Sequence, residues 1–393
     1  MYVAGYWMAL RDLGCETILV GPPRLADAAA AAWLPDACEI PPAARVAWDP
    51  VADGALDGLS SSAASTVLWR SLKHALRGRR VDLVFLLSLD SFVTESTPPS
   101  TVEDLPWRFS GLWFRPPPAR PLSLREAVKR IARRGRVFQP LRSERCAPIL
   151  VLGEAPEIQY LRAYTRYDVL SAPEFSTYGR SSTVSPAVAR LLGQIGTRRA
   201  VALVGSLEPR KGVREFIRAA AANDGSEWVY VLAGRLYRDH FDERTLETIE
   251  KLATEDSPRL LFHDGWLEAC ELNDIVAAVD LIFLCYNHWR FSTNFLCKTS
   301  TFRVPVLAYE SGYIGRMVQR FGLGICVRDK SEAMAVLHRP GLAARLEAMR
   351  RSRQFEQGCE AYLSTNSVTG VAATLSALGS GSAPLTAAEA TTT

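Results

Sequence analysis

From Ala200 to Val327, short apolar runs and amphipathic stretches alternate without a break, and this rhythm admits few folds. The apolar runs are Ala200–Val204, Trp228–Ala233, Arg259–Phe262, Leu281–Leu284, Val306–Ala308 and Gly324–Val327. Between them lie helical patterns at Val213–Ala222, Glu243–Leu252, Ala269–Ala278, Thr293–Phe302 and Ile314–Phe321. Brief, wholly apolar runs read as strands covered on both faces, and strands separated by helices pair in parallel. The expected fold class is α/β, with doubly wound parallel sheets. Helices near Ala343–Arg351 and Phe355–Ala377 should close the chain, and the small polar tail from Gly379 should be disordered.

The first half follows the same rhythm less cleanly. "MYVAGYWMALRDLGCETILVGPP" reads as a loop containing Gly5 and Tyr6, a helix through Leu13 and a strand at Thr17–Val20. A doubly wound domain normally opens with a strand before such a loop. Here either that strand is missing or the start is assigned wrongly. An Ala-rich helix around Ala28–Trp33 and a helix at Ala64–Leu76 come next, then "VDLVFLLSLD", a buried strand ending in the carboxylate of Asp90. Residues 94–120 are Pro-rich and aromatic, which excludes a long helix and suggests a long loop. Further elements are expected at Leu124–Arg134, Pro148–Leu152, Ile158–Tyr164 and Val169–Leu170.

At 393 residues the chain exceeds one ordinary core. We expect a first domain over 1–180, a Ser/Pro/Gly-rich connection at 181–198 and a second domain over 199–350. Closing helices over 351–378 and the tail 379–393 follow. With 48% hydrophobic and 22% charged residues the chain is globular, and a net charge of +4 is too small to argue for nucleic acid. None of the eight cysteines is paired in a C-x-x-C spacing, so reduced core thiols are expected, without a zinc site or disulfides. No apolar run approaches bilayer length and no signal peptide opens the chain, so a cytoplasmic protein, soluble or peripheral, is expected.

The chemistry concentrates in "VALVGSLEPRKG" (Val201–Gly212). A buried strand that breaks at Gly205 and leads to Arg210 and Lys211 delivers two cations to the carboxyl edge of a parallel sheet. Ligands bind at that edge, and paired cations suit two phosphates. A solvated basic loop is the alternative.

Together, "GSLEPRKG" (Gly205–Gly212), "VLAGRL" (Val231–Leu236), "FHDGWLEACELNDIVAAVDLIFL" (Phe262–Leu284) and "VPVLAYESGYIGRMVQRFGLGICV" (Val304–Val327) resemble the nucleotide-sugar domain of GT-B-fold glycosyltransferases, family 4 especially. The resemblance implies two facing Rossmann-like domains with an interdomain cleft, the second holding a nucleotide diphosphate sugar and the first an acceptor. It also implies that cations at Arg210 and Lys211 neutralise the departing diphosphate, so that no metal and no other cofactor is required. No Asp-x-Asp pair is present to hold a metal.

Gly265, Trp266 and Leu267 stand where such enzymes hold the nucleobase, and Gly5 and Tyr6 where backbone approaches the sugar or acceptor. The family's two glutamates, seven residues apart, are replaced by Arg290 and Lys298, and the glycine before Pro305 by Arg303. Lysine cannot accept a hydrogen bond from ribose. What remains is the helix start at Ser292, Thr293 and Asn294. We expect the amides of Thr293, Asn294 and Phe295 to receive the diphosphate, with Lys298 adding charge; a capped structural helix with Arg290 and Lys298 on a solvated face is the alternative. Asp90 is a candidate base or acceptor-orienting group, or a capping aspartate. Glu310 and Tyr313 face the same expected cleft or serve a capping turn. His263 and His288 read as packing residues.

The segment Leu124–Arg136 places Leu124, Val128 and Ile131 along one stripe amid arginines and lysines. That face suits either the first domain's sheet or peripheral contact with an anionic membrane. Three functions stay open: sugar transfer to a glycan, polysaccharide or glycolipid precursor, nucleotide-sugar or glycan binding without catalysis, and epimerisation of the donor.

Overall fold

The computed structural model describes residues 2–22, 25, 27, 40–48, 59–116, 128, 137–180, 184–223, 227–255, 258–287 and 292–380. Its contacts divide the chain into two units, Met1–Glu174 with Ser367–Thr393, and Phe175–Asn366. The division differs from the expected one in two ways: the first break falls at Glu174, and the last helix belongs with the first unit.

The first unit opens with helix α1 (Tyr2–Asp12), not with a loop. Gly5 and Tyr6 lie buried inside that helix, because Ala4, Trp7 and Met8 form an apolar face that packs on Ile40 and Leu19. Strand β1 (Leu19–Gly21) pairs in parallel with β2 (Arg45–Ala47) as a separate two-stranded sheet. Helix α2 (Ser61–Ala75), capped by Ser60 on the Ala63 amide, precedes β3 (Leu83–Leu86). Two short helices, α3 (Leu89–Phe92) and α4 (Ser100–Glu103), lead to β4 (Arg108–Trp113). Then come β5 (Ile149–Val151), α5 (Ala155–Arg162) and β6 (Val169–Ser171). The four strands β3-β4-β5-β6 form one parallel sheet.

Strand β4 lies within the stretch expected to be a loop. The prolines at 106 and 116 leave "WRFSGLWFR" between them, long enough for one strand. Its residues Phe109, Ser110, Leu112 and Trp113 are all buried, and Ser110 Oγ donates to Pro148 O at 2.5 Å. Asp90 also moves: the strand ends at Leu86 and Asp90 sits in the first turn of α3, where Ser88 Oγ donates to its carboxylate at 3.3 Å. The expected "buried" strand is half open as well, with Leu83 48% exposed. Segments Ala28–Trp33 and Leu124–Arg136, apart from Val128, lie outside the described residues.

The second unit realises the alternating pattern almost residue for residue. Helix α6 (Pro186–Ile195) precedes β7 (Arg199–Val204), α7 (Val213–Ala222), β8 (Trp228–Gly234), α8 (Glu243–Ala253) and β9 (Leu260–Asp264). Next come α9 (Ala269–Ala278), β10 (Leu281–Leu284), α10 (Phe295–Phe302), β11 (Val306–Tyr309), α11 (Gly312–Phe321) and β12 (Gly324–Val327). Helices α12 (Lys330–Leu337), α13 (Leu342–Arg351) and α14 (Arg353–Thr365) finish this unit. The sheet is parallel with order β12-β11-β10-β7-β8-β9, which puts its first strand in the centre.

Successive residues of β7 feed opposite cores. Ala200, Ala202 and Val204 join one face with Val188, Ile275 and Leu296, while Val201 and Leu203 join the other with Phe216, Tyr230 and Phe283. The expected connection at 181–198 contains a packed helix instead. Val188, Leu191 and Ile195 of α6 recur at helical spacing, face the core, and follow a Ser185 cap on the Val188 amide. The expected single helix Phe355–Ala377 breaks at Asn366. Its second part, α15 (Val368–Ser380), belongs to the first unit, where Val368 packs on the α1 cluster. Residues 381–393 lie outside the described part.

Candidate functional site

The carboxyl end of β7 is shaped by close backbone approach. Gly205 follows the strand with φ +92°, and the neighbouring Gly234 lies so near that a Cβ there would stand 1.9 Å from Gly205 O. A Cβ on Gly205 itself would meet Lys211 Nζ at 3.0 Å and the Phe295 ring at 3.5 Å. Only glycine combines this dihedral with this contact. The chain then turns through Ser206–Glu208 into a short helical turn, Pro209–Lys211.

Lys211 returns over the strand end and is buried. Its Nζ donates to Val204 O at 3.2 Å and lies 5.6 Å from the ring centroids of both Tyr286 and Phe295. Burial, assisted by the adjacent Arg210 charge, lowers its pKa to about 7. Arg210 is half-buried and forms a two-pronged pair with Glu208, Nε to Oε2 at 2.6 Å and Nη2 to Oε1 at 3.1 Å. Burial pushes the Glu208 carboxyl up, but the Arg210 hydrogen bond and charge, with Lys211, outweigh it and hold the group below its usual range.

The loop after β10 completes the cluster. Asn287 N donates to Arg210 O at 2.6 Å, and its side-chain amide reaches Pro209 O and Glu215 Oε2, each at 3.3 Å. Tyr286 hydrogen-bonds the Thr293 side chain, and burial raises its phenol pKa. Asn294 stands at the N-cap position of α10 without a side-chain cap bond, and the helix's first residue, Phe295, supplies a wall around Lys211. Gly205, Arg210, Lys211, Thr293, Asn294 and Phe295 therefore converge where β7 and β10 end. A basic turn facing a helix start offers cations and a dipole to an anion.

The other expected positions separate. Gly265 N donates to Gly234 O at 3.2 Å, which keeps Gly265 on the same edge, one strand beyond β8. Trp266 beside it is 77% exposed, whereas Leu267 is core. Lys298 is neither solvated nor part of the cation cluster. It is buried, and its Nζ donates to Asn273 Oδ1 at 2.6 Å and Thr177 O at 3.0 Å. Asn273 Nδ2 in turn donates to Thr177 O and Gly179 O. Lys298 thus pins residues 177–179 to α9 and α10, and burial lowers its pKa to about 8.

Arg303, standing at the resemblance's glycine, keeps a left-handed backbone at φ 53°. Its guanidinium pairs with Glu356 and with Glu360 at 3.2 Å, contacts that help offset the strain. Glu310 is exposed and Tyr313 is core. Asp90, Gly5 and Tyr6 belong to the first unit. Arg290 and His288 lie outside the described residues. Glu208, Tyr286 and Asn287 escaped the sequence reading. The signal for Glu208 was present in "EPRK", where a carboxylate stands two residues before Arg210.

Among the described residues no cluster of three His, Cys, Asp or Glu side chains could hold a metal ion, and no helix is long and apolar enough to cross a membrane.

No family model matches the sequence, and no curated protein matches it. Solved structures do match. Sucrose-phosphate synthase from Thermosynechococcus elongatus aligns with a TM-score of 0.65 at 14% identity, over 96% of this chain and 92% of that one. The chain has the GT-B fold. HepE from Anabaena, solved with UDP and glucose, aligns with a TM-score of 0.56 at 13% identity, over 80% of this chain and 81% of that one. An α,α-trehalose-phosphate synthase (UDP-forming) from Burkholderia vietnamiensis gives 0.53 at 16% identity, over 80% and 76%. At such identities the likeness is one of fold, and it agrees with the architecture expected from the sequence.

Proposed function

We propose that this chain transfers a sugar from a nucleoside diphosphate sugar to an acceptor hydroxyl on a glycan, polysaccharide or glycolipid precursor. In this reading it follows family 4 of the GT-B enzymes, keeps the anomeric configuration and uses no metal. The observation that carries the reading is the meeting of Lys211, Arg210 and the start of α10 at the carboxyl end of a central parallel strand.

The chemistry follows from charge. Breaking the sugar–phosphate bond places negative charge on the departing diphosphate, and fixed donors in a dry site stabilise it without reorganising. A desolvated ammonium with pKa about 7 is poised for this role, because an arriving diphosphate favours its charged form. Arg210 would leave Glu208 or share it when phosphate oxygens arrive, since its planar fork suits either partner. The solved complexes of HepE with UDP and with UDP-glucose lend this reading a donor class, a uridine diphosphate sugar. Trp266 is the candidate platform for the base. Asp90, steadied by Ser88, is the first unit's candidate for orienting an acceptor. Peripheral contact with an anionic membrane through Leu124–Arg136 belongs to the same proposal.

The test is a screen of labelled UDP-, GDP- and ADP-sugars for hydrolysis and transfer. Release of free sugar or a glycosylated product supports the reading; neither, from any donor, defeats it. A second reading, binding without transfer, is favoured by one observation: Lys298, at a position where the resemblance expects a ribose-binding glutamate, is committed to Thr177 and Asn273. Calorimetry showing nucleotide binding without turnover would select it.

A further inference from the structure

The amino-terminal rim of the first unit's four-stranded sheet carries a row of arginines. Arg80 stands three residues before β3, Arg108 begins β4, Arg145 stands four residues before β5 and Arg166 three before β6. Neighbouring strands lie about 4.8 Å apart, so four of them spread the row over roughly 15 Å. Two open hollows flank it. The first, of about 730 Å³, is lined by Arg70, Lys73, His74, Arg77 and Arg79, and no carboxylate among the described residues lines it. The second, of about 800 Å³, sets Arg108, Arg142, Arg145 and Arg166 against two carboxylates, Glu103 and Glu144. Adjacent residues join the hollows, since Trp107 lines the first and Arg108 the second. Lys73 Nζ donates to Asp104 O at 3.0 Å and ties α2 to the loop between them.

The same rim of the second unit is built differently. Arg199, which begins β7, pairs with Asp280 at 2.8 Å and Glu347 at 3.2 Å. Arg259, just before β9, pairs with Glu255 at 2.5 Å, and Arg303, before β11, pairs with Glu356 and Glu360. There the fold neutralises its own rim cations. In the first unit Arg70, Arg77, Arg79, Arg80, Arg108 and Arg145 form no ion pair among the described residues. Arg166 reaches Glu144 only at 4.0 Å, and that carboxylate is 90% exposed. The Arg108 guanidinium lies over the Tyr167 ring at 5.4 Å, which steadies the fork and leaves its charge in place. The carboxyl end of α2 favours Lys73 and His74 through its dipole, but Arg79 and Arg145 stand in turns. Like charges gathered in a concave rim repel one another, and a bound anion removes that cost.

We propose that this rim binds an acidic glycan, a flexible sugar chain with carboxylates on successive residues, laid across both hollows. Guanidinium forks match carboxylates in shape as well as charge. Sugar hydroxyls suit Ser71, Gln139 and Ser143, which stand among the arginines. Single-stranded nucleic acid calls for exposed rings on which bases stack, whereas Trp107 at the junction is buried. A bilayer calls for protruding apolar side chains, and among the described residues none of the large exposed ones lines either hollow. A chain long enough to fill both hollows binds twice through one molecule, so affinity grows with its length. Binding at this rim does not depend on the sugar transfer proposed above, and the two are measured separately.

The test titrates the full chain into fluorescent octagalacturonate and follows anisotropy. Digalacturonate, a neutral dextran octamer, a single-stranded RNA of matched charge and vesicles of phosphatidylglycerol and phosphatidylcholine in equal parts are the comparisons. Octagalacturonate should bind at least about tenfold more tightly than digalacturonate, and more tightly than the other three. Arg77→Glu with Arg145→Glu, one reversal in each hollow, should weaken it at least about tenfold. Arg244→Glu with Arg345→Glu, which reverses two exposed cations of the second unit, should leave it unchanged. Equal affinity for the two oligomers, equal loss in the two variants, tighter binding of dextran, RNA or vesicles, or no binding of octagalacturonate overturns the proposal. If the Arg77/Arg145 variant fails to fold, the wild type is treated with phenylglyoxal and its peptides are weighed. Protection of Arg77 and Arg145 by octagalacturonate supports the site, and modification at the unprotected rate defeats it.

Discussion

The two units share a plan and differ at its centre. In the second, β7 lies between β8 and β10, both faces of the strand are buried, and the chain leaving it at Gly205 builds the cation cluster. In the first, β1 and β3 belong to separate sheets, and an apolar cavity of about 320 Å³ lies between them. The contrast teaches what a central parallel strand contributes. It closes two hydrogen-bonded edges, joins two cores, and positions the loop from which the sheet's carboxyl edge takes its ligand groups.

The largest effects should come from the loop that leaves β7. Replacing Lys211 by Met together with Arg210→Glu should weaken nucleoside diphosphate binding by more than about 100-fold, as read by calorimetry. Retained affinity would separate the cluster from ligand binding and remove the functional meaning of the contrast.

Next in size is a paired substitution that compares the two centres. Leu203→Asp places a carboxylate in the fully covered β7 and should cost about 3 kcal/mol or more in denaturant unfolding. Leu83→Asp, on the open wall of β3, should cost under about 1 kcal/mol. Equal costs would show that the first unit's centre is as closed as the second's.

A smaller effect concerns Lys298. Its folded pKa of about 8 lies below the roughly 10.4 of an unfolded lysine. Between these values the unfolded chain holds more protons, so stability rises with pH by up to about 1 kcal/mol per unit. Lys298→Met should flatten that rise over pH 8 to about 10 in unfolding titrations; an unchanged slope would mean the lysine is not the buried group described. The smallest effect is expected at Trp266. Its replacement by Ala should leave stability within about 0.5 kcal/mol, because the ring is largely exposed, yet lower nucleotide affinity several-fold if the base rests on it.

What the sequence disclosed follows the same division. The second unit was legible because its strands are continuous apolar runs and its helices carry regular apolar spacing; α7, α9, β10 and β12 begin and end where the pattern says. Strand β4 was hidden because Leu112 is the one branched aliphatic among its buried residues, the rest being Phe109, Ser110, Gly111 and Trp113 between prolines. Helix α6 was hidden by the small polar residues before it, although Ser185 and Pro186 are an ordinary helix start. At the site, Gly205, Arg210 and Lys211 were visible as a motif, whereas the burial of Lys298 was not. A lysine reads as surface by residue type, and only the fold brings Asn273 and Thr177 to it from distant parts of the chain. The Glu208–Arg210 pair is local, yet residue type alone does not reveal that the two side chains close on each other.

The most direct test of the central claim is calorimetric titration of UDP, GDP and ADP into the wild type and Lys211→Met at pH 8, in two buffers of different ionisation heat. Because Lys211 is mostly neutral above about pH 7 when free, at least one diphosphate should bind with uptake of about one proton, and both the binding and the uptake should be lost in the variant. Binding that takes up no proton and survives the substitution, or no binding of any diphosphate, would contradict the account.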